Sequence, residues 1–215
     1  MTETLMFLKL CKYSFKYKTN MVFLLFFFII GVINEAVTQG TQYLGAFYIV
    51  LCSIYVFQFI MSLAMSDMIQ SSGIGRRIHV DIPVKLNMVM SLVLYTLVVV
   101  FRLIMAAMHP EKAKAIAASL LMIDIMFLVL FIYTAFVYKY FLVSILTFCF
   151  TFGFVIAGFN IILQLPDVII TMKTAVIAGY AIIMIGAALQ YMICVILAKK
   201  PISQRAFRGI FKEAK

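Results

Sequence analysis

The sequence predicts an all-α, polytopic membrane protein, and three observations carry that expectation. The 215-residue chain is 66% hydrophobic and only 12% charged, with a mean hydropathy of +1.13, which is more apolar surface than a soluble domain of this length can hide. Six apolar stretches occupy most of it, each long enough, at about 1.5 Å of rise per residue, to cross a hydrocarbon core of about 30 Å. These stretches lack the period-two alternation of a barrel strand. Inside lipid the backbone polar groups must therefore be satisfied within helices.

Each element follows in order. Residues 1–20 are expected to lie in the interface as a short basic helix, because Leu8, Cys11 and Phe15 share one face while Lys9, Lys12 and Lys16 take another. The first span, 21–38, contains the run Met21 to Ile33 after this basic region but has no A-x-A type of cleavage site behind it, so an uncleaved helix is expected. The second span covers 44–66, and residues 67–87 form the longest polar loop. Spans three to six follow at 88–108, 117–138, 142–163 and 174–197. The basic tail, 198–215, places Ile202, Ala206 and Ile210 on one side and Arg205, Arg208 and Lys212 on others, as in a snorkelling anchor or a protein-docking helix. The whole of 1–215 reads as one transmembrane domain.

Orientation follows from the basic residues. With both termini cytoplasmic, Lys9, Lys12, Lys16, Lys18, Arg76, Arg77, Lys85, Lys139, Lys199, Lys200, Arg205, Arg208, Lys212 and Lys215 fall inside, against Lys112, Lys114 and Lys173 outside. The net charge of +10 is thus accounted for by orientation and anionic headgroups, and no nucleic-acid partner is expected. The sequence has no tryptophan, so tyrosines such as Tyr13, Tyr17, Tyr43, Tyr138 and Tyr140 supply the interfacial belt. Cys11, Cys52, Cys149 and Cys194 show no paired or metal-ligating spacing and read as small buried hydrophobes. The expected location is the cell membrane.

Polar residues inside the spans are the candidate site. Arg102 and Asp124 are the most costly, at about 2.5–3.5 kcal/mol each at a helix centre, so they should face inward. Each falls roughly 9–11 Å from the outer end of its helix, and equal depth on antiparallel neighbours predicts an ion pair. Such a pair either locks the two helices or lines a substrate or proton path. Weaker stripes at helical spacing run through Tyr55, Gln58, Ser62 and Ser66; through Ser91, Tyr95, Arg102 and His109; through Gly153, Ala157, Asn160 and Gln164; and through Ala175, Gly179, Gly186 and Gln190. Small and amide residues on one face serve either helix packing or a hydrophilic conduit. Glu35, at the end of the first span, reads as a solvated terminus or part of an outer gate.

The loop Asp67 to Asn87 carries Gln70, Ser71, Ser72, Gly73, Gly75, Arg76, Arg77, His79, Asp81, Pro83 and Lys85, which suits a solvated connector or a contact surface for a cytoplasmic partner. Its glycines and arginines lack Walker spacing. The chain also has no H-E-x-x-H, no G-x-S-x-G and no clustered carboxylates, so no enzymatic activity of its own is expected.

Lys9 to Asn20, with alternating lysines and aromatics, and the order Ser66, Asp67, Gln70, Ser71, Ser72, Arg76, Arg77, Pro83 resemble the membrane subunits of ABC-2-type transporters. The likeness is to the short subunits of Gram-positive bacteria, encoded apart from their ATPase and associated with peptide or antibiotic export. The resemblance implies a half-transporter that dimerises with a second copy or a paralogue. It further implies docking on a separate ABC ATPase through a coupling helix near Asp67 to Pro83, with Asp67, Gln70, Arg76, Arg77, Asp81 and Pro83 as contact residues. No cofactor is implied beyond ATP on that partner, and walls rich in Phe, Met and Ile favour an amphipathic peptide, lipid or drug as cargo. Two other readings stand beside it. One is an ATP-independent carrier or channel using Arg102 and Asp124, with three spans in each of residues 1–108 and 109–215. The other is a non-transporting immunity or sensor subunit.

Overall fold

In the computed structural model the described residues are 17–64, 80–163 and 170–198, with the side chains of 60, 62–64 and 159–163 set aside. The N-terminal residues 1–16, the loop positions Asp67, Gln70, Arg76 and Arg77, Gln164 with the segment up to 169, and the tail from 199 lie outside them, as does the Asn160 side chain. The described elements are helical: α1 (Tyr17–Thr38), α2 (Leu44–Ala64), α3 (Ile82–Met108), a 3-10 turn (Pro110–Lys112), α4 (Ala113–Phe136), α5 (Phe141–Leu163) and α6 (Met172–Leu197). Five stretches, Tyr17–Thr38, Ile82–Met108, Pro110–Phe136, Phe141–Gly158 and Met172–Leu197, are long and apolar enough to cross a membrane. The α2 helix is apolar too, over Leu44–Phe59. By the length and composition of its helices this is the fold of a multi-pass membrane protein.

Helix boundaries shift where local chemistry overrides hydropathy. The α3 helix begins at Ile82, inside the segment expected to stay a loop to residue 87, with Pro83 in its first turn. There the proline's missing N–H would have had no partner and its fixed φ suits the helix. The α6 helix starts at Met172 because Thr171 and Thr174 form a reciprocal capping box, each backbone N–H donating to the other's Oγ1 at 3.2 Å. Between α1 and α2 the chain reverses through Gln39 (φ 52°) and Gly40 (φ 73°), a left-handed pair that glycine makes easier.

At the centre stands α4, with Ile116, Leu120, Met122, Ile123, Met126, Phe127, Leu130 and Phe131 buried. It packs most extensively on α6, while α1 lies against α2, α2 against α3, α3 against α6, and α5 against α4. The small residues of α6 make its approach possible: a Cβ on Gly186 would stand 2.6 Å from the Phe131 ring. On α1 and α2, Gly31 and Gly45 meet across the hairpin, where a Cβ on Gly31 would lie 2.9 Å from the Gly45 carbonyl. The rim carries Val22, Phe26, Ile29, Leu97, Ile104, Phe150, Phe154, Ile185 and Ile196, all exposed, the distribution expected when lipid is the outer solvent.

Candidate functional site

Polar side chains gather inside the bundle in three tiers along α3. Asn87, Ser91, Tyr95 and Arg102 recur at helical spacing and are all buried. At about 1.5 Å per residue, Arg102 lies roughly 10 Å from Tyr95 along the axis, and Tyr95 roughly 12 Å from Asn87.

The first tier closes the end where α1 turns into α2. Arg102 is fully buried and makes a bidentate ion pair with Glu35, Nη2 to Oε1 at 2.8 Å and Nε to Oε2 at 3.3 Å. Two further donors reach Ser119 Oγ at 2.9 Å and the Gln42 carbonyl at 2.9 Å. Glu35 Oε1 also accepts from the Ala46 N–H at 2.7 Å, and Ser119 donates to the Gly40 carbonyl at 2.8 Å. One guanidinium thereby ties α1, the 39–43 turn and α4 to α3. The paired geometry, with four of the five guanidinium donors used, is what makes a buried charge tolerable.

This arrangement replaces the expected Arg102–Asp124 pair. Depth along the helices was read correctly enough to bring both residues inside, but azimuth decides the partner. Ser119, which bonds Arg102, and Asp124 are five residues apart on α4 and so point about 140° apart around it. Asp124 instead faces α6: its Oδ1 and the Tyr95 phenol both crowd the place a Cβ on Gly179 would take. Glu35, weighed as a solvated end or gate residue, is 3% exposed and holds the arginine.

The second tier is Asp124 with Tyr95. Asp124 is fully buried, and neither carboxyl oxygen has a hydrogen-bond partner. The Tyr95 hydroxyl stands beside it but is directed at the Ala175 carbonyl, 3.4 Å away. Edge contacts hold the Tyr95 ring between Phe127 (5.7 Å) and Tyr180 (5.1 Å), and the Tyr180 hydroxyl in turn meets Thr96 Oγ1 at 3.0 Å.

The third tier lies toward the opposite end. Gln190 is fully buried, accepts from Asn87 Nδ2 at 3.2 Å and donates to Thr134 Oγ1 at 2.9 Å, joining α3, α4 and α6. Replacing Gln190 with leucine should destabilise the protein by about 1–2 kcal/mol, because Asn87 loses its acceptor in a dry core. Thermal unfolding of Gln190→Leu beside Asn87→Leu and the double variant checks this; the double variant, which strands neither amide, should lose clearly less than the sum of the two single losses.

Of the other residues singled out in the sequence, Gln58 is half-buried on α2, Asp81 is half-buried just before α3, and Pro83 is buried in its first turn. Gly153 and Ala157 are exposed on α5, with nothing among the described residues within 4 Å of a Cβ on Gly153; the stripe's other two members, Asn160 and Gln164, lie outside the described side chains. Cys52 is buried as expected, whereas Cys149 is exposed on the rim. Lys139, at the turn after α4, is half-buried, and desolvation lowers its pKa from the ordinary lysine value. Asn87, Ser119 and Thr134 were not singled out as site residues in the sequence; a lone hydroxyl or amide in an apolar run carries no signal of its partner. Among the described residues no three His, Cys, Asp or Glu converge as a metal site.

On the side of the bundle, a cavity of about 450 Å³ opens between α4 and α5, lined by Ile132, Tyr133, Phe136, Val143, Thr147 and Phe148 among others. No family model, no curated protein and no solved structure matches the chain.

Proposed function

We propose that the chain is the permease subunit of an ABC transporter in the cell membrane, with six spans and both termini cytoplasmic. It exports an amphipathic peptide, lipid or drug, driven by a separate ATPase. The observation that carries this reading is the packed centre of the described helices. Large side chains, among them Tyr95, Ile116, Leu120, Phe127 and Phe131, are fully buried around α4, leaving packed core along the bundle's centre. A transport path then belongs between subunits, as in a half-transporter that works as a dimer with a second copy or paralogue. The outward small residues Gly153 and Ala157 and the apolar cavity beside α5 lie on a face suited to that role.

In this reading the segment Asp67 to Pro83 meets the ATPase at the inner surface. Charge reversal of Arg76 and Arg77 to glutamate should abolish co-purification with the proposed ATPase partner while leaving membrane insertion unchanged. Undiminished co-purification of the inserted double variant overturns the docking assignment. A carrier that runs without ATP is the second reading, and the observation favouring it is Asp124, a buried acid to which no cation is bonded.

A further inference from the structure

We propose that Asp124 is a proton-binding site: a carboxyl group held as the neutral acid in the middle of the membrane-buried core, whose ionisation breaks the Tyr95–Ala175 hydrogen bond between α3 and α6. The proposal concerns the single chain and does not depend on an ATPase partner.

Charge balance leads to it first. Arg102 is the cation buried in the described core, and each of its three nitrogens already bonds to Glu35, Ser119 or the Gln42 carbonyl. That pair is already neutral, so an ionised Asp124 would add one uncompensated negative charge to a site with no exposed surface. An ionised carboxylate buried without partners is far more costly than a buried neutral acid, and such groups take up a proton.

Hydrogen bonding leads to the same place. A carboxylate draws donors to close range, yet neither oxygen of Asp124 has a well-formed hydrogen bond, and the adjacent Tyr95 hydroxyl, the donor nearest the acid, makes a long 3.4 Å contact with the Ala175 carbonyl. Were the acid charged, that phenol would be its obvious donor. The titratable groups around it are Tyr95 and Arg102 on α3, Tyr180 on α6 through its edge contact with Tyr95, and Glu35 on α1 beyond the guanidinium. A metal cation is a poorer occupant. It requires a cage of oxygens, and the polar atoms placed beside Asp124 are the Tyr95 phenol and the Ala175 carbonyl it bonds.

The site also has a mechanical consequence. Asp124 sits near the midpoint of α4, against Gly179 of α6. Loss of the proton creates an anion that draws the Tyr95 hydroxyl away from Ala175. That breaks a direct α3–α6 hydrogen bond at the point where the two helices and α4 meet. The proton is thus the ligand, and the Tyr95–Ala175 contact of the α3–α6 seam is what it controls.

Infrared spectroscopy tests the assignment on the full-length protein in lipid vesicles at neutral pH, with aspartate carrying a 13C carboxyl. The expected result is an isotope-shifted band of a protonated carboxyl in the wild type that is lost in Asp124→Asn. Should Asp124→Asn fail to fold, Asp124→Glu serves instead, since it keeps an acid but removes the labelled group and must lose the shifted band. Absence of the band from the wild type overturns the proposal, and so does its persistence in either folded variant.

Discussion

Replacing Arg102 with leucine is expected to destabilise the protein by about 3–5 kcal/mol, because it strands Glu35 as an uncompensated charge in a dry site. Arg102 contributes four hydrogen bonds from a fully buried side chain, and its partners come from α1, from the turn after it and from α4. Glu35→Leu should be damaging for the converse reason. The double variant Glu35→Leu, Arg102→Leu removes both charges and should recover a large part of the loss, giving a coupling energy well beyond the 0.3–0.5 kcal/mol or so of independent sites. Unfolding midpoints in detergent micelles, measured over the complete cycle, provide the check. The cycle of Arg102→Leu with Asp124→Leu supplies the contrast: no bond joins those residues, so their coupling should be much smaller. A larger coupling for Arg102 with Asp124 than with Glu35 would show that the arginine's partner has been misassigned.

That contrast marks where sequence reasoning stops. The helices were legible because hydropathy over twenty residues is a strong signal, and the observed helices 17–38, 44–64, 82–108, 113–136, 141–163 and 172–197 fall close to the expected windows, five of them long and apolar enough to cross a membrane. The inward stripe on α3 was legible too, since Ser91, Tyr95 and Arg102 share a face whatever surrounds them. The partner of Arg102 was not. Spacing gives the depth of each charge, but three acids and bases on separate helices can be paired only when rotation and helix adjacency are known, and those depend on packing between distant residues such as Gly31 with Gly45. The same limit explains the two small-residue stripes. On α6, Ala175, Gly179, Gly186 and Gln190 are buried, while on α5 Gly153 and Ala157 face outward. Nothing in the spacing of either stripe distinguishes a seam within the chain from one that faces away. The early start of α3 was within reach, because a proline one residue into a helix is a recognisable opening, but the polarity of Asp81 to Asn87 outweighed it.

The two stripes give the second prediction, in which one substitution changes sign with position. Alanine for glycine within a helix should stabilise by roughly 0.5–1 kcal/mol where space allows, since it restricts the unfolded backbone. At Gly153 space allows it, with nothing within 4 Å of the new Cβ, so Gly153→Ala should be neutral or mildly stabilising. At Gly179 the new methyl would overlap the Tyr95 phenol and the Asp124 carboxyl, both held in a fully buried site. Neither is the free end of a flexible chain: the Tyr95 ring is fixed between Phe127 and Tyr180. Overpacking there should cost about 1–3 kcal/mol or more and open the seam between α3, α4 and α6. Gly186→Ala, against the Phe131 ring at 2.6 Å, should fall between the two, because a ring edge can tilt where a buried polar pair cannot. Unfolding midpoints of the three variants should therefore rank Gly153→Ala above Gly186→Ala above Gly179→Ala. An unchanged midpoint for Gly179→Ala would mean that α6 does not press its glycine face onto Tyr95 and Asp124, and the polar tier built around that contact would have to be abandoned.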